Sequence, residues 1–221
     1  YAHVAKFYSE HGFNVFTYDQ RGHGKSEGKR GHSPGIEFNL DDLDRVIQNI
    51  PKEHLFIYGH SFGGNVLANF LLRNQPNYLS GAILSSAWFE LAKQPNILEF
   101  AMANVMNKIA PSFTQNSKID ANHLSNEPSV CEAYVTDPLN HDKISVRLFS
   151  DFYAAGKWAI KNADKLPIET LLIHCADDAI ISSHGTVEFT ENSKGLAKCK
   201  IFENTKHEPH NDKTHETLFA Y

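Results

Sequence analysis

The 221-residue chain is 41% hydrophobic and 21% charged, and its 26 acidic and 21 basic side chains leave a net charge of −5. Without a basic run it lacks the attraction that dominates nucleic-acid binding, so no nucleic-acid partner is expected; no apolar stretch approaches the roughly 18 residues a membrane span needs. Cys131, Cys175 and Cys199 are odd in number and form no C-x-x-C pair, which argues against a disulfide framework or zinc knuckle and fits a reducing, cytoplasmic compartment.

In chain order, Tyr1 to Glu10 read as a helix closed by Gly12, a C-cap residue. Phe13 to Tyr18, rich in aromatic and β-branched residues, reads as a strand, and Asp19 to Gly35 as a glycine-rich loop. Asn39 is placed to cap the next helix, with Asp41 and Asp42 in its first turn, Leu40, Leu43, Val46, Ile47 and Ile50 on one face, and Pro51 as its stop. Leu55 to Tyr58 reads as a buried strand, Val66 to Arg73 as an apolar helix, and Gly81 to Ser85 as a further strand.

From about Trp88 to Lys165 the pattern changes to Pro-, Asn- and Ser-punctuated helical periodicity without a convincing strand. After Pro167 the alternation returns, with a strand at Thr170 to His174, a helix around Gly185 to Asn192, a strand at Lys200 to Glu203 and a last helix from about Lys213. Strands alternating with helices predict an α/β fold around a mostly parallel sheet with crossover helices.

The chemistry centres on Gly59-His60-Ser61-Phe62-Gly63-Gly64. A G-x-S-x-G sequence between a strand and a helix is a nucleophile elbow, which exposes the Ser61 hydroxyl and leaves the Phe62 backbone N–H, at a helix N-terminus, free to donate to an oxyanion. A serine hydroxyl is a weak nucleophile at neutral pH and needs a base and an orienting carboxylate. Both follow in order after later strands: Asp177 and Asp178, then His207. The thirteen histidines raise a metal reading, but His207-Glu208-Pro209-His210 is not H-E-x-x-H and Pro209 breaks the helix that would align two ligands. No metal or organic cofactor is expected, and the remaining histidines read as surface or supporting residues.

Together, the segment Tyr18-Asp19-Gln20-Arg21-Gly22-His23-Gly24-Lys25-Ser26-Glu27-Gly28, the elbow, Asp137-Pro138-Leu139 and His207-Glu208-Pro209-His210-Asn211 resemble the monoacylglycerol lipase and lysophospholipase branch of the α/β-hydrolases over essentially the whole chain. The resemblance implies a serine hydrolase that cleaves carboxylic esters of a small-molecule lipid substrate, with Ser61, Asp178 and His207 as its catalytic triad and Phe62 N–H as one oxyanion donor. Family register favours Asp178, which is followed by Ile180 and Ile181 and then Gly185, over Asp177, the alternative acid; where the family has glycine three residues before the acid, this chain has Cys175.

The chain runs 117 positions from Ser61 to Asp178, more than a strand, a helix and short loops require. The excess reads as a helical cap, which divides the chain into core residues 1–87, cap residues 88–165 and core residues 166–221. Within it Leu98, Ala101, Met102, Val105 and Ile109 recur at helical spacing, a stripe that either packs on the core or forms a lid face lining an acyl pocket or touching a lipid surface. By the same resemblance the family fold extends beyond both ends of these residues, with sheet strands and a second oxyanion donor before Tyr1 and a helix continuing past Tyr221, so this stretch alone is expected to be unstable and nearly inactive. An aminopeptidase, thioesterase or small-ester esterase would use the same triad, and a ligand-binding receptor could keep the fold without turnover.

Overall fold

A computed structural model describes residues 1–221. In chain order the elements are α1 (Ala2–Glu10), α2 (Ile36–Gln48), β1 (Phe56–His60), α3 (Phe62–Asn74), β2 (Gly81–Ser85), α4 (Ile97–Ile109), β3 (Thr114–Asn116), α5 (Pro128–Thr136), β4 (Lys143–Ser145), α6 (Val146–Lys161), β5 (Thr170–Cys175), α7 (Ser183–Asn192), β6 (Ala197–Phe202) and α8 (His215–Ala220). Four of the strands form one sheet in the order β1-β2-β5-β6, parallel throughout, with Tyr58 opposite Ile83, Ile83 opposite Leu171 and Leu172 opposite Cys199. Parallel neighbours cannot be joined by tight turns, so α3 and α7 serve as crossovers.

Side chains alternate across a strand, and here that alternation divides the core. Leu84 and Leu172 enter a large cluster with Leu67, Phe70 and Leu71 of α3, Phe152 and Ala159 of α6, and Phe189 of α7. Ile83, Leu171 and Ile173 face the opposite side, where they meet Phe202, Leu218 and Phe219, and Phe219 stacks on Phe7 of α1 at 4.7 Å. Each large apolar side chain removed from water contributes about 1.5–3 kcal/mol. The larger cluster therefore anchors the helix that follows Ser61.

Three sequence expectations differ from the structure. Phe13 to Tyr18 has strand composition but no ladder partner, and Phe13, Val15 and Phe16 are exposed; strand propensity needs a neighbouring backbone to become a strand. Helix α2 begins at Ile36 with Gly35 as its N-cap, and Asn39 lies inside the helix, buried, accepting a 2.5 Å hydrogen bond from Ser33 Oγ. That inward bond removes Asn39 from the capping role. Residues 88–165 do contain strands, the antiparallel pair β3 and β4, each only three residues long and too short to leave a periodic signal.

The packing of residues 88–165 is not uniform. No residue of α4 or α5 is buried, whereas α6 buries Phe152, Ala155, Ala159 and Ile160. Asn65 of α3 donates to the Trp88 and Phe152 carbonyls at 2.6 and 3.0 Å, which ties α6 to the helix behind the elbow.

Candidate active site

Ser61 sits between the end of β1 and the start of α3 at φ 52°, ψ −116°, a conformation that non-glycine residues adopt only where surrounding structure enforces it. Here the enforcement is visible in the backbone. Ser61 N–H donates to the Ser85 carbonyl at 2.9 Å, and its own carbonyl accepts from Asn65 N–H at 3.1 Å and Trp88 N–H at 3.0 Å. The tight turn also dictates glycine nearby: a Cβ on Gly59 would lie 2.6 Å from the Gly63 carbonyl oxygen, and one on Gly64 would lie 2.7 Å from Ala87 Cβ. Gly63 is less crowded, since a Cβ there would meet only the Gln20 side-chain nitrogen at 3.4 Å. The second steric demand thus falls on Gly64.

The structure brings Ser61, His207 and Asp178 together. His207 Nδ1 lies 2.7 Å from Asp178 Oδ2, and His207 Nε2 lies 2.9 Å from Ser61 Oγ. A carboxylate only accepts, so Nδ1 carries the proton and Nε2 is left to accept from the hydroxyl. Asp177, adjacent in sequence, is exposed and its backbone N–H pairs with Thr205 O at 3.1 Å; it makes no hydrogen bond to His207.

Asp178 is held from both oxygens. The backbone N–H groups of Ile180 and Ile181 each donate to Oδ1 at 2.9 Å, and Oδ2 faces His207. Burial pushes its carboxyl pKa up, but hydrogen bonds from His174 and His207, the His207 charge and the Ile181 N–H outweigh that cost, so the pKa falls well below the usual carboxylate range. Cys175, in the place of the family glycine, is not among the residues with positive φ. The turn accommodates its Cβ, and the buried thiol lies 3.6 Å from Ser86 Oγ.

The loop carrying His207 is fastened to residues 122–126. His207 N–H donates to the His123 carbonyl at 3.3 Å and Glu208 N–H to the Leu124 carbonyl at 2.8 Å. Asp212 Oδ2 accepts from Lys206 N–H at 3.0 Å and from both Asn126 nitrogens at 3.1 Å. Beside His207 lie two further rings, the half-buried His60 centred 4.9 Å from His207 and the buried His210 centred 4.8 Å from His60. Burial, followed by the neighbouring His210 and His207, lowers the His60 pKa well below the ordinary value; burial and His3 lower that of His210 to about 3. Both shifts favour the neutral rings, which add no positive charge beside His207. No three His, Cys, Asp or Glu side chains are arranged to hold a metal ion.

Sequence reasoning missed His174, which lies at 3.4 Å from Asp178 Oδ2. The available signal was a histidine inside the apolar run Thr170-Leu171-Leu172-Ile173-His174-Cys175, where a fully buried polar ring requires partners.

Comparison with known proteins agrees with this architecture. The family model described as Serine aminopeptidase, S33 matches residues 1–214. An abhydrolase domain-containing protein of Dictyostelium discoideum is 32% identical across 100% of the chain; the chain spans only 24% of that relative's length. A monoacylglycerol lipase of Mycolicibacterium smegmatis is 28% identical over 84% of the chain and 68% of its own length. The crystal structure of Paleococcus ferrophilus monoacylglycerol lipase superposes with a TM-score of 0.91 at 28% identity, covering 100% of this chain and 85% of the other. An S33 match over nearly the whole chain, with these relatives, shows that it belongs to the S33 hydrolase family of α/β-hydrolases, in the monoacylglycerol lipase-like branch.

Proposed function

We propose that the chain carries the catalytic machinery of a serine carboxylic ester hydrolase acting on lipid-like monoesters such as a monoacylglycerol or lysophospholipid. The observation that carries this reading is the continuous hydrogen-bonded path Ser61–His207–Asp178. In the first half-reaction Ser61 Oγ attacks the ester carbonyl carbon while His207 Nε2 takes its proton. Asp178 holds the ring in the required tautomer and stabilises the imidazolium without taking the proton. Phe62, first residue of α3, has a backbone N–H without an intrahelical acceptor, and we assign it as one oxyanion donor. His207 then protonates the leaving alcohol. In the second half-reaction water attacks the acyl-enzyme with His207 again as base, releasing the acid and restoring Ser61.

Two features support a long acyl chain over a peptide or small ester. Aromatic rings run outward from the elbow: Phe62 meets Phe152 at 4.5 Å, Trp88 meets Phe152 at 6.5 Å and Phe149 at 6.0 Å, Phe149 meets Tyr153 at 5.9 Å, and Tyr153 meets Phe100 of α4 at 5.5 Å. Phe62, Phe149 and Phe100, the rings of this row that are not buried, suit an apolar chain, with the few polar groups concentrated at the ester. Beyond this row, α4 presents Ile97, Leu98, Met102, Val105 and Ile109 to solvent, a surface suited to an apolar ligand or a lipid interface. Within 88–165 the substrate-facing part then includes α4 and Phe149 of α6, while the rest of α6 packs into the core. No helix is long and apolar enough to cross a membrane.

The test is Ser61→Ala in the intact protein, with hydrolysis of monoacylglycerol, lysophospholipid, short p-nitrophenyl esters and a prolyl amide measured in parallel. Turnover should fall by several orders of magnitude without loss of folding, and the parent should favour the long-chain monoesters. Undiminished hydrolysis by the variant would remove Ser61 from the mechanism; faster cleavage of the prolyl amide than of any ester would replace the lipid reading with the aminopeptidase one.

A further inference from the structure

The acid of the triad has a second histidine. His174 is fully buried near the end of β5. Its Nε2 lies 3.2 Å from the Ile181 carbonyl oxygen and 3.4 Å from Asp178 Oδ2, and its Nδ1 lies 2.8 Å from Thr186 Oγ1. Both groups facing Nε2 are acceptors, so this nitrogen must carry a proton. The neutral ring then has a lone pair at Nδ1, which accepts the Thr186 hydroxyl proton. One ring therefore joins three pieces of structure: strand β5, the Asp178–Ile181 turn and helix α7.

A buried histidine needs partners wherever it lies, and Thr186 with the Ile181 carbonyl would satisfy it. The approach to Asp178 Oδ2 is additional, and it falls on the oxygen that pairs with His207. Oδ1 already accepts two backbone N–H groups, which fix one corner of the carboxylate but leave Oδ2 restrained by His207 alone. The Nε2–H that bonds the Ile181 carbonyl also lies 3.4 Å from Oδ2, so its positive end attracts that oxygen whether or not His207 is engaged with Ser61. It also disperses charge on Oδ2, which favours leaving the transferred proton on His207.

We propose that His174, kept in its Nε2–H tautomer by Thr186, is a positioning residue that fixes the Asp178 carboxylate against His207. The proposal rests on the assignment of Ser61, His207 and Asp178 as the triad, and its test separates the two. A fluorophosphonate probe is reacted with the intact protein, and the rate of labelling at Ser61 is compared with kcat and KM on a monoacylglycerol for the parent, H174L, H174Q, H174N and T186V. The amide nitrogen of glutamine reaches the place of Nε2, whereas that of asparagine ends near Nδ1.

H174L should lower labelling and kcat by about 10- to 100-fold, the scale on which small misplacement of a catalytic group acts, with KM little changed. H174Q should recover most of that loss, H174N should not, and T186V should fall between the parent and H174L. If H174L does not fold, the contrast between H174Q and H174N decides. Parent-like rates in folded H174L, or equal rates in H174Q and H174N, would overturn the positioning role while leaving the triad intact. A folded parent that is never labelled at Ser61 would overturn the triad and this proposal with it.

Discussion

Asp178 concentrates the opposing forces of the site in one side chain. Burial favours its neutral form, while N–H groups from Ile180, Ile181, His174 and His207 favour the carboxylate, and the latter prevail. D178N should therefore cost about 10⁴-fold in kcat, because an amide cannot both accept from Nδ1–H and compensate an imidazolium. D177N should leave kcat near that of the parent, since Asp177 is exposed and does not reach His207. Steady-state hydrolysis by the two variants checks the pair, and loss confined to D177N would reverse the assignment. Candidates for all three roles were legible in sequence because Ser61, the aspartate pair and His207 each follow a strand in order. The choice between adjacent aspartates does not follow from residue type; family register favours Asp178, and in the structure it is the Asp178 carboxylate that accepts from the Ile180 and Ile181 amides. The apolar run around His174 signals a buried ring but not its role, because its partner on α7, Thr186, is twelve residues away and carries no motif.

Helix α4 shows that periodicity reports amphipathicity without saying what the apolar face meets. Its stripe was compatible with a core face, yet Leu98 is 70% exposed and Ile109 75%. The helix forms for local reasons. Asn96 accepts from Glu99 N–H and Glu99 returns a bond to Asn96 N–H, each at 2.9 Å, a capping box that satisfies two backbone donors. Replacing Leu98, Met102, Val105 and Ile109 together with Gln or Ser should change stability by little, since surface positions usually contribute within about 0.5 kcal/mol each. Phe152→Ala, at a fully buried position packed on Phe62, should cost about 3–5 kcal/mol. On the reading that α4 faces lipid, the surface variant should lose hydrolysis of vesicle-borne monoester while keeping that of a dispersed short-chain ester. Urea denaturation and parallel assays measure both. Equal losses on the two substrates would return α4 to a purely structural role. Residues 13–18 make the complementary point: their composition specifies a strand, but pairing is a property of the neighbour.

Across the whole molecule, histidines with lowered pKa values, His60 and His210 together with His23 and His32, and Asp178 contribute to an acid response in two stages. His60 and His210 have pKa values below the unfolded reference, which is about 6.5. The unfolded chain therefore binds protons first as pH falls. Their contribution to stability is full above that pH and is lost progressively toward the folded value, about 3 for His210, at up to about 1.4 kcal/mol per pH unit for each titrating histidine. Asp178 acts later, because its depressed pKa stabilises the fold above the unfolded carboxylate value of about 3.9 and that support is lost only below it. His210 allows a clean test: neither ring nitrogen has a hydrogen-bond partner, and the ring packs on Tyr1 at 4.9 Å and edge-on to His60. His210→Phe keeps an aromatic ring and removes both the titration and two unpaired buried nitrogens. The variant should match or exceed the parent's urea midpoint at pH 7 and lose less of it at pH 5. An identical decline in both proteins would show that His210 does not contribute to the first stage.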